Sequence, residues 1–598
     1  MCNIYSELSD DEKEMYLEVL RDSPIIPFSN YVSRGDIRDP VDVARPRSYI
    51  DREVFRLVRQ TYRDRSSRLL PILGSAGTGK THAYHSFKEK ELENKKKLKE
   101  ADEINEIEAN QLEPVDWSII YVPSPPASIR VLLHVYTCLI EEIGPEMLDI
   151  VSENLVKEKW GGKKGGLFQK ANLDEVIQKG LREFPGVFAD CVKALVTYQL
   201  DKNRKALAER WLLGENLEPE ELAELGINSV LEDDDICLAM IKIITDNLDR
   251  VLILYFDELE SPYRMLGEVA ERKFLEILKR LYNEVKGLVI IIAVLKEIWP
   301  RILEIADPPL RSRMEPEQEL KTFSLNDLKI FYSKTMEVFW DENNLSPPLY
   351  PLFPLNEKLL EIIYKKTDGN QRNSIKLCKR FIDKVVMEEM SIEALMKAGV
   401  DIVATAKLPE PAEEIIDFSK PKKTIAKTIE DILAEEEYAI DVNPASIAGA
   451  TLKYIIKIGE EKKKKFKTQI EYKFKMGKRT QTIAALIETG EKKWGLEIPS
   501  IKTFERSAGV AGYYAAKRIK DAITDKVIDA GILIVPEGTG GTKYEMILEN
   551  NPEIHKVEMN NESGEHYIAN ALKYPTKEAW ELAKIVFPDI GDYTPKES

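Results

Sequence analysis

The stretch "RLLPILGSAGTGKTHAYH", residues 68–85, decides the fold of this chain. Its apolar start predicts a buried strand, its glycines permit a tight turn, and the residues from Lys80 onward predict a helix. The spacing Gly74-x-x-x-x-Gly79-Lys80-Thr81 matches the phosphate-binding P-loop. In that loop the backbone N–H groups surround the phosphates, the lysine reaches the β- and γ-oxygens, and the hydroxyl binds Mg²⁺.

A glycine-rich turn that binds nothing is the alternative interpretation. The order strand, loop and helix favours nucleotide binding, because the N-terminus of a helix attracts an anion. The predicted nucleotide-binding residues are Gly74, Ser75, Ala76, Gly77, Thr78, Gly79, Lys80, Thr81 and His82.

A second segment, "DRVLILYFDELE" at residues 249–260, supplies the acids that a P-loop requires. Its continuous apolar run is typical of a central parallel strand. Asp257 together with Thr81 is predicted to hold Mg²⁺, and Glu258 to polarise the attacking water. An acidic strand end that faces solvent is the alternative, and the nearby P-loop favours the functional interpretation.

Composition excludes several classes of protein. The 598 residues carry 32% charged and 43% hydrophobic side chains, which is a globular balance, and the length predicts several domains. The longest apolar stretch, residues 288–295, is too short to cross a membrane. The acidic N-terminus lacks an apolar signal core, so we expect a cytoplasmic protein. Scattered cysteines predict neither disulfides nor a zinc site; they are Cys2, Cys138, Cys191, Cys237 and Cys378.

One segment is strongly basic although the formal net charge is −17. An acidic protein repels nucleic acid, so any contact with DNA needs a local basic patch. The segment "KKKKFKTQIEYKFKMGKR", residues 462–479, interleaves such a patch with Phe466, Tyr472 and Phe474. A solvated hairpin face is the alternative. The predicted DNA contacts are Lys462, Lys463, Lys464, Lys465, Lys467, Lys473, Lys475, Lys478 and Arg479.

Apolar runs that alternate with amphipathic segments predict a parallel α/β sheet. We expect a nucleotide-binding core that contains a helical insertion, followed by a helical lid, a linker rich in proline and charge, and a further α/β domain. The predicted limits are 1–44 for an N-terminal segment, 45–325 for the core with its insertion at about 145–245, 326–407 for the lid, 408–424 for the linker and 425–598 for the last domain.

These motifs resemble those of AAA+ ATPases of the origin-recognition/initiator and STAND-like branches, over about residues 45–400. Residues 74–81 look like a Walker A motif, "LILYFDE" (252–258) looks like a Walker B motif, and "YIDREVFRLVRQTY" (49–62) is similar to a helix that precedes the P-loop. The resemblance implies ATP and Mg²⁺ as cofactors and ATPase activity with Glu258 and Lys80 as catalytic residues.

The resemblance also implies roles for three arginines. "TDGNQRNSIKLCKRF" (367–381) resembles a lid helix that carries a sensor 2 arginine, here Arg372. "PPLRSRMEPEQEL" (308–320) resembles the region of an arginine finger, with Arg311 and Arg313 as candidates. A finger that acts on a neighbouring subunit implies a homo-oligomer, while ordinary solvated or ion-paired arginines are the alternative.

Two departures from the family pattern affect function. "VIIIAVLKEIW" (289–299) lacks the polar residue that the family usually places after the sensor 1 strand, so we expect slow hydrolysis. Residues 82–251 separate the Walker motifs, which predicts a helical insertion that could bind a partner.

The C-terminal region predicts three strands, a helix, a strand and a further helix, strand and helix, an order that resembles the restriction-endonuclease-like fold. Its acids do not match the nuclease pattern: Glu488 lies near the end of the second strand, and Pro499 follows Glu497 where lysine is expected. We therefore expect no nuclease activity. A winged helix, with residues 515–534 as recognition helix and 535–546 as wing, is the alternative.

Two functions remain open from the sequence. The first is an ATPase that acts with DNA through its C-terminal domain, in replication initiation, a mobile element or defence. The second is a STAND-like switch in which ATP drives assembly and the C-terminal domain recognises a protein.

Overall fold

The computed structural model of the protein describes residues 8–29, 41–103, 115–125, 127–161, 172–387, 391, 442–476, 479–571 and 573–594. The predicted linker 408–424 and Cys2 lie outside the described residues. The other four cysteines, which are Cys138, Cys191, Cys237 and Cys378, are free. No helix in the described part of the chain is long and apolar enough to span a membrane.

The first sheet has five parallel strands in the order β2-β3-β4-β1-β5. Their bounds are β1 Arg68–Gly74, β2 Trp117–Pro123, β3 Val251–Asp257, β4 Leu288–Leu295 and β5 Gln318–Glu319. Both β3 and β4 are buried along their whole length, as expected for strands covered by helices on two faces. The short strand β5 pairs with the end of β1 and was not expected from the sequence.

Helices cover this sheet on both sides. The described helices before residue 325 are α1 Asp10–Asp22, α2 Ser48–Asp64, α3 Lys80–Glu103, α4 Val131–Ile143, α5 Glu146–Ser152, α6 Leu173–Glu183, α7 Ala189–Leu200, α8 Lys205–Leu212, α9 Pro219–Leu225, α10 Asp234–Asn247, α11 Ser261–Leu266, α12 Glu268–Glu284, α13 Trp299–Ile305 and α14 Pro308–Arg311. Glu153–Lys159 forms a π-helical turn after α5.

The helices between the two Walker segments belong to the core of the molecule. Leu195 of α7 and Trp211 of α8 lie in one apolar cluster with Ile120, Leu254 and Ile290 of the sheet. The helical insertion is therefore a layer packed against the sheet, and this packing buries much of its apolar surface.

Three helices form the lid: α15 Leu325–Glu342, α16 Glu357–Thr367 and α17 Gln371–Val386. The N-terminal helix α1 packs with them, since the ring of Tyr16 lies 5.1 Å from that of Trp340 and its hydroxyl donates to the carbonyl of Ser346 at 3.0 Å. The described part of the N-terminal segment thus shares an apolar core with the lid.

The second sheet has the order β10-β9-β8-β7-β6 and is mixed. Its elements are α18 Pro444–Glu461, β6 Phe466–Met476, β7 Arg479–Thr489, β8 Lys493–Glu497, α19 Gly509–Thr524, β9 Ala530–Pro536, α20 Thr542–Asn550, β10 Ile554–Met559, α21 Asn561–Ala571 and α22 Lys577–Val586. The strands β6, β7 and β8 are antiparallel, whereas β8, β9 and β10 are parallel.

The predicted α/β fold class is confirmed: a parallel sheet with a helical insertion and a helical lid, followed by a second α/β unit. From β6 to α21 the order of strands and helices in that unit is the one expected from the sequence, whereas α18 and α22 were not predicted. The exact domain limits stay a prediction.

The second unit packs directly on the first. A Cβ atom added to Gly449 of α18 would lie 2.8 Å from the Cγ of Met265 and 3.1 Å from the Cβ of Ala127, so only glycine permits this approach. Ala127, Ile129 and Met265 of the first unit lie in the apolar cluster of the second. The two units therefore share apolar contacts at their interface.

Candidate functional site

The loop between β1 and α3 is folded into a compact turn. Gly77 and Gly79 have φ of +73° and +84°, in the left-handed region that glycine adopts at little cost. The backbone N–H and the hydroxyl of Thr78 both donate to the carbonyl of Ser75, at 3.2 and 2.8 Å. These bonds hold the loop in the shape that points amide groups toward an anion.

Lys80 begins α3 and is 9% exposed. Its ammonium donates to the carbonyl of Gly74 at 3.3 Å. A buried ammonium strongly favours an anionic partner, and the phosphates of a nucleotide provide one.

The two predicted Mg²⁺ ligands meet at the ends of β1 and β3. The hydroxyl of Thr81 donates to Oδ2 of Asp257 at 2.6 Å, and Asp257 is 1% exposed. A hydroxyl and a carboxylate are oxygen ligands of the kind that Mg²⁺ selects, so these residues fit the ion.

Glu258 follows Asp257 with a strained backbone. Its φ is +53°, and its N–H donates to Oδ1 of Asp257 at 3.0 Å. A left-handed residue other than glycine costs about 1–2 kcal/mol. The chain turns sharply here, since the N–H of Ser261 bonds to the carbonyl of Glu258 at 2.8 Å. Strain of this kind is concentrated at functional sites.

Three tyrosines that the sequence analysis missed surround these residues. Tyr121 of β2 and Tyr255 of β3 are register partners. The hydroxyl of Tyr255 donates to the carbonyl of Lys80 at 2.5 Å, and that of Tyr121 donates to Oδ2 of Asp257 at 3.1 Å. The ring of Tyr84, on α3, lies 4.8 Å from Tyr121 and 5.8 Å from Tyr255.

These tyrosines tie the P-loop helix to the strand that carries Asp257. Burial, and then the carboxylates of Asp257 and Glu258, raise the pKa of Tyr121, while burial and Asp257 raise the pKa of Tyr255. The available signal was one tyrosine in each of two mostly apolar strand segments, but the pairing of the two tyrosines depends on the sheet register.

His82 is tied to the segment before α2. Its Nε2 lies 2.9 Å from Oδ1 of Asp42, and Arg47 binds both oxygens of the same carboxylate at 2.6 Å. Burial opposes ionisation of Asp42, but hydrogen bonds from Arg47 and His82 outweigh it and hold its pKa far below the usual range. The structure thus gives His82 a role in anchoring; its contact with nucleotide stays a prediction.

The first turn of α17 lies against the P-loop. The side-chain amide of Asn370 donates to the carbonyl of Ala76 at 2.8 Å, and the N–H of Arg372 donates to that of Gly77 at 3.1 Å. A Cβ on Gly77 would lie 2.6 Å from that of Arg372. The structure therefore brings the predicted sensor 2 residue, Arg372, to the glycine-rich loop.

Arg311 and Arg313 lie at the end of α14. Arg313 donates to the carbonyl of Pro309 at 3.0 Å and its guanidinium lies 5.8 Å from the ring of Tyr282, while Arg311 is exposed. Their described contacts are local, and a role toward a neighbouring subunit stays a prediction.

The basic segment lies on β6, the edge strand of the second sheet. Several of its lysines have partners within the chain: Lys464 pairs with Asp589, Lys473 lies 3.6 Å from Asp234, and Lys462 lies over the ring of Trp580. The exposed lysines of the described segment are Lys462, Lys463, Lys465, Lys467, Lys473 and Lys475, of which Lys462 and Lys473 make the contacts just named. Lys478 and the side chain of Arg479 lie outside the described part.

The aromatic residues of this segment pack inward. Phe474 is buried, Tyr472 is half-buried, and the ring of Phe466 lies 5.5 Å from that of Phe587. Phe466 packs in the apolar cluster that contains Ile532 of β9, whereas Tyr472 and Phe474 pack in the cluster that contains Leu533, on the opposite face of the sheet. All three rings are thus engaged within the protein, and the exposed charge of this edge comes from the lysines. The observed surface is suited to phosphates and not to stacked bases.

Glu497, at the end of β8, is fully buried between arginines. It pairs with Arg130 of the first unit and lies 3.2 Å from Nη2 of Arg518, and it accepts the N–H of Ala484 at 3.0 Å. Glu488 pairs with Lys493 at 3.1 Å. No group of three or more His, Cys, Asp or Glu within the described ranges is placed to hold a metal ion. These ion pairs engage both Glu497 and Glu488, and the absence of nuclease activity stays a prediction.

The segment after β2 joins the two units. Arg130 has φ of +51°, and its backbone N–H donates to the carboxylate of Glu471, which itself has φ of +49°. Lys273 of α12 binds the same carboxylate at 2.7 Å, and Arg518 pairs with Glu232. Buried polar groups are costly unless they are paired, so this network fixes one arrangement of the two units.

No protein-family model matches the sequence, and no curated protein matches it. Among solved structures the chain is similar to the ORC1 protein of Aeropyrum pernix in complex with DNA, at 12% identity and a TM-score of 0.29, covering 74% of this chain and 90% of that one. It is also similar to the ORC2 protein of the same organism, at 13% identity and a TM-score of 0.32, covering 68% of this chain and 84% of that one. A Walker-type ATPase of Pyrococcus abyssi matches at 15% identity and a TM-score of 0.27, covering 71% of this chain and 80% of that one. Similarity this low does not assign the chain to a family.

Proposed function

We propose that this protein binds ATP with Mg²⁺ and hydrolyses it. The observation that carries the proposal is the 2.6 Å hydrogen bond between Thr81 and Asp257 beside a folded P-loop. It joins the hydroxyl that follows a phosphate-binding lysine to an acid at the end of the central strand.

Different residues of the site bind the phosphates, bind Mg²⁺ and activate water. The amides of Gly77, Gly79 and their neighbours hold the phosphates, and Lys80 places its charge on the β- and γ-oxygens. Thr81 and Asp257 hold Mg²⁺, which withdraws charge from the phosphate when it is bound. Glu258 accepts a proton from the attacking water, and Arg372 approaches the phosphates from the lid.

The proposal extends to a homo-oligomer in the cytoplasm. A guanidinium from Arg311 or Arg313 of a neighbouring copy would neutralise charge on the transferred phosphate. Both residues lie outside the apolar clusters of the first unit, at a surface that a second copy can reach. Hydrolysis that rises with the square of the protein concentration, or faster, tests this part of the proposal.

We also propose that the second unit contacts duplex DNA through the exposed lysines of the β6 edge. Each phosphate neutralised contributes about 0.9 to the slope of log K against log salt. Filter binding at graded salt therefore compares wild type with the triple change Lys463→Ala, Lys465→Ala and Lys467→Ala. We expect weaker binding and a slope reduced by about 2–3.

A matched control removes three exposed lysines from α16: Lys358, Lys365 and Lys366. Equal losses in both triple variants would show that only net charge matters. Absence of DNA binding by wild type at low salt would favour the second candidate, an ATP-driven switch whose C-terminal unit recognises a protein. The observation that favours this candidate is that Lys464 pairs with Asp589 and Lys473 with Asp234 within the chain.

A further inference from the structure

Tyr121 approaches the hydrolytic acids from the edge of the sheet. β2 lies on the opposite side of β3 from β4, and its Pro123 is the register partner of Asp257. The hydroxyl of Tyr121 reaches Oδ2 of Asp257 at 3.1 Å, the same oxygen that accepts from Thr81 at 2.6 Å.

The strand on the other side offers no such group. β4 consists of eight buried residues, Leu288–Leu295, and all of them are aliphatic. None can donate a side-chain hydrogen bond to the acids at the end of β3. The polar contact with Asp257 from a neighbouring strand therefore comes from β2.

We propose that Tyr121 is a positioning residue for ATP hydrolysis, which supplies from β2 the polar side chain that β4 lacks. This inference rests on the proposed ATPase function and names a further residue of the same site.

The contacts fix the Asp257 carboxylate in one orientation. Oδ1 accepts the N–H of Glu258, and Oδ2 accepts two hydroxyls. Tyr121 is itself held by the ring of Tyr84, which belongs to the helix that begins at Lys80. A carboxylate held in place before the ligand arrives binds a cation without first losing rotational freedom. If the hydroxyl of Tyr121 is removed, Thr81 is the remaining side chain of this pair that holds Oδ2 in place.

The test compares wild type, Tyr121→Phe and Tyr84→Phe in the full chain. Both substitutions keep an aromatic ring and remove one phenol from the same cluster, but only the first removes a hydrogen bond to Asp257. For each protein we measure the dissociation constant of ATP with EDTA and with Mg²⁺, the Mg²⁺ concentration that gives half-maximal hydrolysis, kcat, KM and the melting temperature.

We expect Tyr121→Phe to bind ATP in EDTA as tightly as wild type. The increase in ATP affinity on addition of Mg²⁺ should be at least about fivefold smaller than in wild type. We expect kcat to fall roughly 10- to 100-fold with a higher Mg²⁺ requirement, while KM at saturating Mg²⁺ changes little. Tyr84→Phe should keep the full effect of Mg²⁺ on ATP affinity, because it removes no hydrogen bond to Asp257.

Other outcomes overturn the inference. If Tyr121→Phe keeps both the Mg²⁺ effect on ATP affinity and kcat, Tyr121 does not position Asp257, and the proposed ATPase function stands without it. If both tyrosine variants lose activity in parallel with their melting temperatures, the cluster is only structural. If wild type binds no ATP, the proposed function fails first and the role of Tyr121 fails with it.

Discussion

Arg130 of the first unit and Glu497 of the second form an ion pair in which the carboxylate has no exposure to solvent. The partners are 367 positions apart in the sequence. Arg518 contacts the same carboxylate at 3.2 Å. This pair is both the reason why Glu497 is an unsuitable metal ligand and the polar centre of the interface between the units.

Removal of Arg130 should destabilise the protein. Truncation of one partner of a buried ion pair costs about 3–5 kcal/mol, because the other charge stays buried. We expect Arg130→Ala to lower the free energy of unfolding by this amount, measured by urea denaturation. As a control, Arg272→Ala removes an arginine whose pair with Glu268 is half exposed and should cost less than about 1 kcal/mol. Similar effects of the two changes would contradict the buried network.

Lys80→Ala should weaken ATP binding by roughly 10- to 100-fold, the contribution of a hydrogen bond between charged groups in a buried site. Isothermal calorimetry measures this change. Lys97→Ala, at an exposed position of the same helix, is the matched control and should bind ATP like wild type. Unchanged affinity of the Lys80 variant would remove the nucleotide site.

Glu258→Gln should retain ATP and Mg²⁺ while turnover falls by roughly two to four orders of magnitude, the usual contribution of a general base. The variant should also keep the ATP-bound oligomer assembled, which size-exclusion chromatography with ATP can detect. Since hydrolysis is expected to be slow, the wild-type rate must first exceed that of Lys80→Ala. Equal rates in the Glu258 variant and wild type would make Glu258 only a strand-end acid.

Glu271 predicts an unusual dependence of stability on pH. Burial raises the pKa of Glu271 to about 7, although Arg301 opposes the shift. The folded protein keeps this proton while the unfolded chain releases it near pH 4.5, so this contribution to stability is complete below pH 4.5 and is lost as the pH rises to about 7.

Urea denaturation at pH 5, 6, 7 and 8 checks this sign in wild type and Glu271→Gln. We expect the stability of wild type relative to the variant to fall by about 2–3 kcal/mol between pH 5 and 8. A constant difference across this range would show that Glu271 is already ionised at low pH.

The parts of the site that are local in sequence were predictable. Strand, glycine loop and helix at residues 68–85 follow from short-range rules, and so does the acid pair that ends β3. Tyr121 was not predictable as a partner of Asp257, because the pairing of β2 with β3 joins residues 136 positions apart. The ion pair of Arg130 with Glu497 depends in the same way on how two sheets pack. The packing of Phe466 on one face of the sheet and of Tyr472 and Phe474 on the other was likewise not predictable from the two-residue period of a strand, because Glu471, with φ of +49°, lies between them.

The short segment that leads from Tyr121 to Arg130 has a thermodynamic consequence. One end contacts the carboxylate predicted to hold Mg²⁺, and the other end is fixed in the interface with the second unit. If nucleotide shifts this segment, the affinity of the second unit for its ligand changes by some factor. Reciprocity then requires that ligand to change the affinity for nucleotide by the same factor. A titration of ATP with and without duplex DNA therefore measures the communication between the two sheets without any assay of hydrolysis.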